Sequence, residues 1–365
     1  MDDYRRASAI LVVAAVAACL AVAPSAWAQS SANQSRWEVE GYGGAALLFG
    51  SSDGSVTLPA PGPPIATSSP IFPSRRVPSW FFGDGALLLN QVNQQFGVTS
   101  LIQPFDDALA GLADSGANGF VAGARLRRVL STSLSLEFSF DLFPASAELS
   151  SDFLAAVDAT RDSFVPAFQG LLATGPFTGV GVTATSTSGG SSLEIATTGA
   201  LVYHFGSSEG FRPYLTFGGG IITGTGGGAS VTLEGNYRFD ILGEVPIDET
   251  DRVTVRYESR TVPAGLVGAG LRRDMSDRWG IRIDGRVLIG PNTTRILLDT
   301  DPLVATGSPA DYVESFTAPS IQFSNNPSTG RESSLGGPSL QDFEVFVADG
   351  LQARVLITAG VFFRF

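Results

Sequence analysis

Several residue types that carry much of protein chemistry are nearly absent from this chain. Among its 365 residues it has no lysine, one cysteine and one histidine. The missing lysine excludes a phosphate-loop lysine and a Schiff base, and the single thiol, Cys19, excludes an intrachain disulfide. A serine hydrolase needs a histidine base, which only His204 could provide. We therefore predict that the protein is not an enzyme and holds no cofactor.

Charge is also sparse, and its balance is negative. Charged residues make up 16% of the chain against 44% hydrophobic residues, and the net charge is -12. An acidic protein is a poor partner for nucleic acid, because phosphates are bound by basic patches. Beyond the N-terminal region, no segment has the roughly 18 to 20 consecutive apolar residues of a membrane helix. High apolar content without long apolar runs is typical of β-strands that alternate between two faces.

The N-terminus predicts export. A short basic stretch precedes a long apolar one, and Ala26 and Ala28 form a small-x-small cleavage site. We predict a secretory signal peptide over 1–28 and one mature domain over 29–365. Cys19 lies in the segment that would be removed, so the mature chain would carry no thiol. The residues before Cys19 also have the form of a lipoprotein acylation box, so lipidation there stays open as an alternative.

The C-terminal segment 351–365 has the clearest strand pattern for a membrane wall. Every second residue is apolar: Ala353, Val355, Ile357, Ala359, Val361, Phe363 and Phe365. The other face is mixed and includes Arg354 and Arg364. Such a strand fits between lipid and a packed polar interior. Because lipid cannot hydrogen-bond a backbone, a strand of this kind needs a closed barrel. A soluble edge strand is the alternative.

Three stretches resemble known outer-membrane proteins. The end of the chain carries a polar-x-Gly-x-x-aromatic-x-aromatic pattern, formed by Thr358, Gly360, Phe363 and Phe365. It resembles the assembly signal of Gram-negative outer-membrane barrels, and segments 212–220 and 268–286 resemble strands of the small OmpA- and opacity-like barrels. The resemblance implies an outer-membrane location and contact with outer-membrane lipids. It also implies delivery by periplasmic chaperones to the barrel-assembly machinery.

The spacing of the strands decides the fold class. Segments with strand alternation are 37–50, 120–126, 134–142, 193–205, 212–223, 262–271, 279–289 and 351–365. Their connections are alternately short and long, as an even-stranded barrel with both ends in the periplasm requires. The predicted class is therefore all-β, a transmembrane antiparallel up-and-down β-barrel of about eight strands, with short helices in long extracellular loops. A strand pair missed in the insertions would make ten.

The long insertions have their own predicted structure. They cover 51–117, 145–190, 224–261 and 291–350. Within them, helical spacing predicts helices over 84–96, 104–113 and 152–172. We expect Asp84 to cap the first helix, Pro104 to lie in the first turn of the second, and Pro166 to interrupt the third. Segments 230–239 and 252–257 predict a hairpin that carries the barrel wall outward, around an acidic turn over 248–251.

The inward faces of the predicted strands carry charge. These residues are Glu38, Glu40, Arg125, Arg127, Glu137, Asp141, Glu194, Arg272, Arg282, Asp284, Arg286, Arg354 and Arg364. A barrel of about eight strands is filled by its own side chains, and unpaired buried charge is prohibitive. We expect these groups to pair with one another and to plug the lumen. The alternative is a narrow path for small solutes.

Acidic residues in the insertions raise the question of a metal site. The clusters are Asp240, Glu244, Asp248, Glu249 and Asp251, with Asp299 and Asp301 in the last insertion. Carboxylates suit calcium, but the spacing matches no EF-hand loop, so we predict a solvated surface and no metal.

The function that the sequence favours is a structural or surface-binding scaffold, anchored in the outer membrane and acting through its loops, whose surface ligand the sequence does not identify. A narrow pore for small solutes is the alternative. A lipid-modifying enzyme is more remote, since no Ser-His-acid pattern surrounds His204.

Overall fold

The computed structural model describes residues 37–50, 53–59, 64–65, 74–75, 79–112, 118–144, 149–190, 193–205, 210–225, 228–241, 245–304 and 340–365. The predicted signal peptide, with Ala26, Ala28 and Cys19, lies outside these residues, so export and lipidation stay predictions.

A closed antiparallel barrel of eight strands confirms the predicted all-β class. With strands numbered in chain order, the wall consists of β1 (Trp37–Gly50), β5 (Gly119–Val129), β6 (Leu134–Pro144), β8 (Leu193–His204), β9 (Phe211–Thr225), β12 (Val262–Asp274), β13 (Trp279–Pro291) and β16 (Leu351–Arg364). Around the barrel the order is β1, β16, β13, β12, β9, β8, β6, β5. Each predicted wall segment is one of these strands, because alternation between two faces marks a wall strand locally.

A second antiparallel sheet continues the wall on the side of the long insertions. It consists of β2 (Gly54–Val56), β7 (Phe177–Gly189), β10 (Ser230–Ile241), β11 (Val245–Ser259), β14 (Thr294–Val304) and β15 (Phe343–Ala348), while β3 (Pro64–Ile65) pairs with β4 (Ser74–Arg75) apart from it. Its strand order is β2, β15, β14, β11, β10, β7. Each of these strands is next in the chain to a barrel strand, and those barrel strands, β1, β16, β13, β12, β9 and β8, follow one another in the same order around the wall. The predicted outward hairpin is confirmed as β10 and β11.

Three helices complete this outer part, which we call the outer unit. They are α1 (Gly83–Gln95), α2 (Asp106–Ala110) and α3 (Ser151–Leu172). α1 and α2 precede β5 in the chain and α3 follows β6, the two barrel strands that no strand of the described outer sheet continues. Among the described residues, none of the helices is long and apolar enough to cross a membrane.

All three predicted helices are present, but the predicted roles of Asp84, Pro104 and Pro166 are wrong. α1 begins at Gly83 behind the N-cap residue Phe82, so Asp84 lies inside the helix rather than capping it. α2 begins at Asp106, which leaves Pro104 outside the first turn. α3 runs through Pro166 without a break. A proline inside a helix costs about 3 kcal/mol, which burial of the aromatic residues on either side offsets.

The strands outside the barrel that the sequence pattern missed are β2, β3, β4, β7, β14 and β15. β7 is rich in Thr, Ser and Gly, and nearly all of its side chains are exposed or half-buried, so its sequence has no clear apolar alternation. β14 lies in the insertion over 291–350, for which no strand was predicted. Residues 248–251, predicted as an acidic turn, lie within β11 instead. None of these strands joins the barrel, so the count there stays eight.

The core of the outer unit is aromatic and lies between the helices and the sheet. Its largest members include Trp80, Phe81, Phe105, Phe164, Phe168, Tyr237 and Phe239. The rings of Phe164 and Phe168 lie 4.6 Å apart, and Phe168 stacks on Tyr237 at 4.8 Å. Phe164 also packs over Gly235, where a Cβ would overlap its ring. The apolar helix faces are therefore buried against the outer sheet.

Candidate functional site

The lumen of the barrel is filled by ion pairs, as the sequence predicted. We call the following residues the lumen network: Arg125, Arg127, Arg272, Arg282, Arg286 and Arg364 with Glu38, Glu40, Glu137, Asp141, Asp274 and Asp284. Arg125 Nη1 lies 2.8 Å from Asp284 Oδ2 and 2.9 Å from Glu40 Oε1. Glu137 accepts from both Arg282 and Arg286. Buried charges of this kind need such partners, because an isolated ion would be strongly disfavoured.

On β9, β12 and β13, a tyrosine, a glycine and an aspartate lie side by side in one row across neighbouring strands and contribute to the lumen network. Tyr214 lies directly opposite Gly270, which lies opposite Asp284. A Cβ on Gly270 would overlap the Tyr214 ring, so glycine allows the ring to lie flat against the wall. The Tyr214 hydroxyl donates to Asp284 Oδ2 at 2.9 Å and accepts from Arg282 Nε at 2.5 Å.

The same row occurs a second time, on β1, β5 and β6. Tyr42 lies opposite Gly123, which lies opposite Asp141. The Tyr42 hydroxyl donates to Asp141, and the Arg125 guanidinium lies 3.6 Å above the Tyr42 ring centre. Because the same packing of tyrosine against glycine occurs twice, we interpret both tyrosines as fixed parts of the lumen. Strand alternation places Tyr42 on the inward face with Glu38 and Glu40, but no local pattern in the sequence predicts its pairing with glycine.

His204 lies at the end of the lumen that is close to the short turns. It is buried, and its Nε2 lies 3.2 Å from Arg127 Nη1. No serine hydroxyl of the described residues forms a hydrogen bond with it. Below it, Arg127 pairs with Glu38, and Arg272 lies 4.2 Å from the Phe362 ring centre. This geometry is that of a histidine hydrogen-bonded to a neighbouring arginine at the rim of the lumen.

An apolar layer closes the lumen above the charges. Its buried members are Val121, Phe143, Ala196, Ala200, Ile222, Val262, Ala264, Leu266, Leu288 and Leu356. Above the layer, Glu194 accepts from Ser259 Oγ at 2.6 Å, Thr293 Oγ1 at 2.8 Å and Arg354 Nη2 at 2.7 Å. We call this group the seam, because it ties the barrel to the first residues of the outer unit. Along the barrel axis, the described residues therefore change from the charged lumen network to the apolar layer, then to the seam and finally to the aromatic core of the outer unit.

Residue polarity reverses where β13 continues into β14. Within each strand the even-numbered residues point inward, and they change from Arg282, Asp284 and Arg286 in the barrel to Ile296 and Leu298 in the outer unit, where the odd-numbered Leu297 is buried as well. The outward residues change in the opposite sense: Ile281, Ile283, Val287 and Ile289 give way to Arg295, Asp299 and Asp301. An apolar exterior suits lipid and an ionic exterior suits water. The exterior therefore changes from apolar to ionic near residues 291–294.

The two outer surfaces differ in the same way around the whole molecule. Large apolar side chains exposed on the barrel wall include Phe120, Phe138, Leu201, Phe217, Ile221, Ile283 and Ile357, each between 48% and 57% exposed. On the outer sheet, by contrast, Arg252 pairs with Glu234 at 2.6 Å and Arg256 with Asp299 at 2.9 Å.

Two acidic residues predicted to be solvated are instead buried in the outer unit. Glu249 and Asp251 have no exposed surface. Asp251 Oδ2 accepts from Ser79 Oγ and from the Trp80 backbone N–H, each at 2.7 Å, while Oδ1 has no hydrogen-bond partner among the described residues. Glu249 accepts from Tyr237 at 2.5 Å. Asp251 therefore anchors the segment that leads into α1.

The Asp251 carboxyl titrates far from its ordinary range. Burial raises its pKa to about 7, the hydrogen bonds from Ser79 and Trp80 act in the opposite direction, and the charge of Glu249 raises it further. No ion pair between Asp251 and an arginine exists in the described residues. Within the same residues, no group of three or more acidic, histidine or cysteine side chains could hold a metal ion.

The predicted assembly signal is divided between the two faces of β16. Thr358 is buried and donates to Asp284 at 2.8 Å, and Gly360 lies beside Glu40 and Tyr42. Phe363 and Phe365 are 55% and 51% exposed on the outside. Thr358 and Gly360 thus also serve the lumen, while recognition by the assembly machinery stays a prediction.

Comparisons with known proteins give little further information. Neither a scan of protein-family profiles nor a search of curated proteins found a match. Among solved structures, a TodX monoaromatic hydrocarbon channel with the deltaS2S3 mutation is 9% identical, with 92% of this chain and 91% of that chain covered and a TM-score of 0.19. The toluene transporter TodX of P. putida is 11% identical, at 91% and 90% coverage and a TM-score of 0.19. At such scores the likeness has no bearing on the function of this chain.

Proposed function

We propose that the protein is a non-enzymatic outer-membrane barrel that holds a folded outer unit at the cell surface. The observation that supports this most directly is the reversal of polarity between β13 and β14. A wall with apolar side chains outward is stable in lipid, whereas the outer sheet, with ion pairs outward and an aromatic core, is suited to water. The filled lumen makes the barrel an anchor, and the outer unit provides the surface available to a partner.

Single cysteines provide a direct test of this placement, because the mature chain is predicted to have no thiol. Thr187 is exposed on β7 in the outer unit, and Thr132 is exposed in the short turn between β5 and β6. We expect a membrane-impermeant maleimide to label Thr187→Cys on intact cells and Thr132→Cys only after the outer membrane is permeabilised. The opposite pattern would mean that the barrel is inverted. Equal labelling of both variants on intact cells would exclude a membrane-spanning barrel.

A narrow path for small solutes is the second candidate function. Arg282 Nη2, Arg286 Nη1 and Thr216 Oγ1 are buried polar atoms without hydrogen-bond partners in the described lumen. Buried polar atoms of this kind commonly bind ordered water, so the lower lumen has the polarity of a water-lined passage. The apolar layer around Leu288 and Leu356 closes it above. Opening such a path would require this layer to move.

Conductance in planar bilayers separates the two candidates. For an anchor we expect no reproducible channel steps from the wild type. The double variant Leu288→Ala and Leu356→Ala removes bulk from the apolar layer. It would produce conductance steps only if this layer alone blocks a continuous path through the lumen. Regular steps from the wild-type protein would instead favour the solute path over the anchor.

A further inference from the structure

The barrel carries two matching pairs of arginine and aromatic residues at its short-turn end. On β1 and β5, Trp37 lies directly opposite Arg128, whose guanidinium carbon lies 5.6 Å from the centre of the indole. On β9 and β12, Phe211 lies opposite Arg273 at 5.2 Å. All of these side chains are exposed on the outer wall. The same arrangement therefore occurs at two separate positions on one rim.

These arginines differ in their partners from three half-buried arginines on the outer sheet. Arg252, Arg256 and Arg295 each form an ion pair with a carboxylate of the same surface. Among the described residues, neither Arg128 nor Arg273 has a carboxylate partner. A cation held over a ring gains only about 0.5–1 kcal/mol at an exposed site, so both guanidinium groups keep most of their capacity to bind an anion.

Their position limits what that anion can be. Arg128 and Arg273 each lie one residue before the end of a strand that leads into a short turn, next to the apolar wall. Other exposed aromatic residues on this rim are Phe205, Trp279 and Phe365. Aromatic side chains of this kind lie at the level of lipid headgroups, and arginines extend their guanidinium groups past them into the phosphate region. The charge and the depth thus both match lipid phosphate.

We propose that Arg128 with Trp37 and Arg273 with Phe211 form two binding sites for the headgroups of anionic phospholipids in the periplasmic leaflet. In each site the aromatic ring lies at the boundary of the hydrocarbon, and the guanidinium binds the lipid phosphate through charge-assisted hydrogen bonds. The assignment of the leaflet rests on the proposed function. The recognition of phosphate rests on the side chains themselves.

The test is phospholipid retention in mixed micelles, measured by native mass spectrometry. Phosphatidylglycerol is the anionic probe and phosphatidylcholine the zwitterionic one. We expect the wild type to retain phosphatidylglycerol preferentially. A basic residue near an anionic surface contributes about fivefold in affinity, so Arg128→Gln with Arg273→Gln should weaken retention at each of the two sites by roughly fivefold. Lysine at both positions should keep most of the preference, because it keeps the charge.

Arg238→Gln is the matched control, since Arg238 is an exposed arginine on the outer sheet that forms no ion pair in the described residues. The Arg238→Gln variant should retain phosphatidylglycerol as well as the wild type does. Equal retention by the Arg128/Arg273 double variant, or an equal loss in the Arg238 variant, would overturn the two sites. Heat-modifiable gel mobility, measured on every variant, reports the folded barrel separately. If it is normal while lipid preference is absent, the lipid sites fail and the proposed barrel stands.

Discussion

The barrel and the outer unit bury opposite kinds of side chain with the same strand order. In the barrel, Glu137 and Arg282 face inward and Ile283 faces outward. In the outer unit, Phe164 and Phe168 form the core and Arg256 faces outward. The proposed placement of the barrel in lipid and of the outer unit in water accounts for this difference. Water drives apolar residues into a core, whereas lipid provides no such drive and leaves the interior to ion pairs and hydrogen bonds.

The substitution with the largest expected effect disrupts the ion pairs in the interior of the barrel. Glu137→Ala would leave the buried guanidinium groups of Arg282 and Arg286 without their shared partner. We expect the barrel to lose about 3–5 kcal/mol, measured as a lower temperature for loss of its folded gel mobility. Glu344→Ala, which removes a half-exposed partner of Arg295, should cost less than about 1 kcal/mol. Equal shifts would show that the lumen network contributes no more than a surface pair.

The corresponding change in the outer unit removes apolar bulk. Phe164→Ala opens a cavity beside Phe168 and Gly235 and should cost the outer unit about 3–5 kcal/mol. Proteolysis should then release outer peptides while the folded gel mobility of the barrel stays unchanged. Leu87→Ala, on the exposed side of α1, should have little effect. Loss of the barrel together with the outer unit would show that the two regions fold as one.

A pH dependence should distinguish the two regions as well. The folded-state pKa of Asp251, about 7, lies above its ordinary value, so burial disfavours the charged form. The contribution of Asp251 to the stability of the outer unit should be largest below about pH 4 and should decrease by up to about 4 kcal/mol as the pH rises through 7. Trp80, packed in this core, reports unfolding by its fluorescence. Asp251→Asn should flatten the profile, whereas Asp301→Asn on the outer face should not. An unchanged slope in Asp251→Asn would contradict this assignment.

The smallest expected effect concerns a single hydroxyl in the lumen. Tyr214→Phe removes the hydrogen bonds to Asp284 and Arg282 but keeps the ring over Gly270. We expect a loss of about 1–2 kcal/mol in barrel stability, seen as a modest drop in the temperature at which gel mobility changes. Tyr203→Phe, with its side chain on the outer wall, is the control. A loss as large as that of Glu137→Ala would mean that the hydroxyl organises the whole network.

Much of the candidate site could be predicted from the sequence. Inward positions such as Arg125 and Asp284 follow from strand alternation, and pairing follows from the cost of buried charge. Their partners could not be predicted, because Arg125 and Asp284 meet across the closed barrel at a separation of 159 residues. Glu249 and Asp251 were predicted wrongly, since nothing local distinguishes a buried acidic residue from a solvated one.

By itself, the sequence determined the wall strands and their two faces, because lipid on one side and a packed lumen on the other impose a period of two on every such strand. The tertiary structure alone decided that the insertions form one sheet with an aromatic core. β7 and β14 carry only a weak local pattern, and they become strands because neighbouring insertions supply their hydrogen-bond partners and the helices cover their inner face. That pairing joins residues that are distant in the chain, so the pattern of any single segment does not contain it.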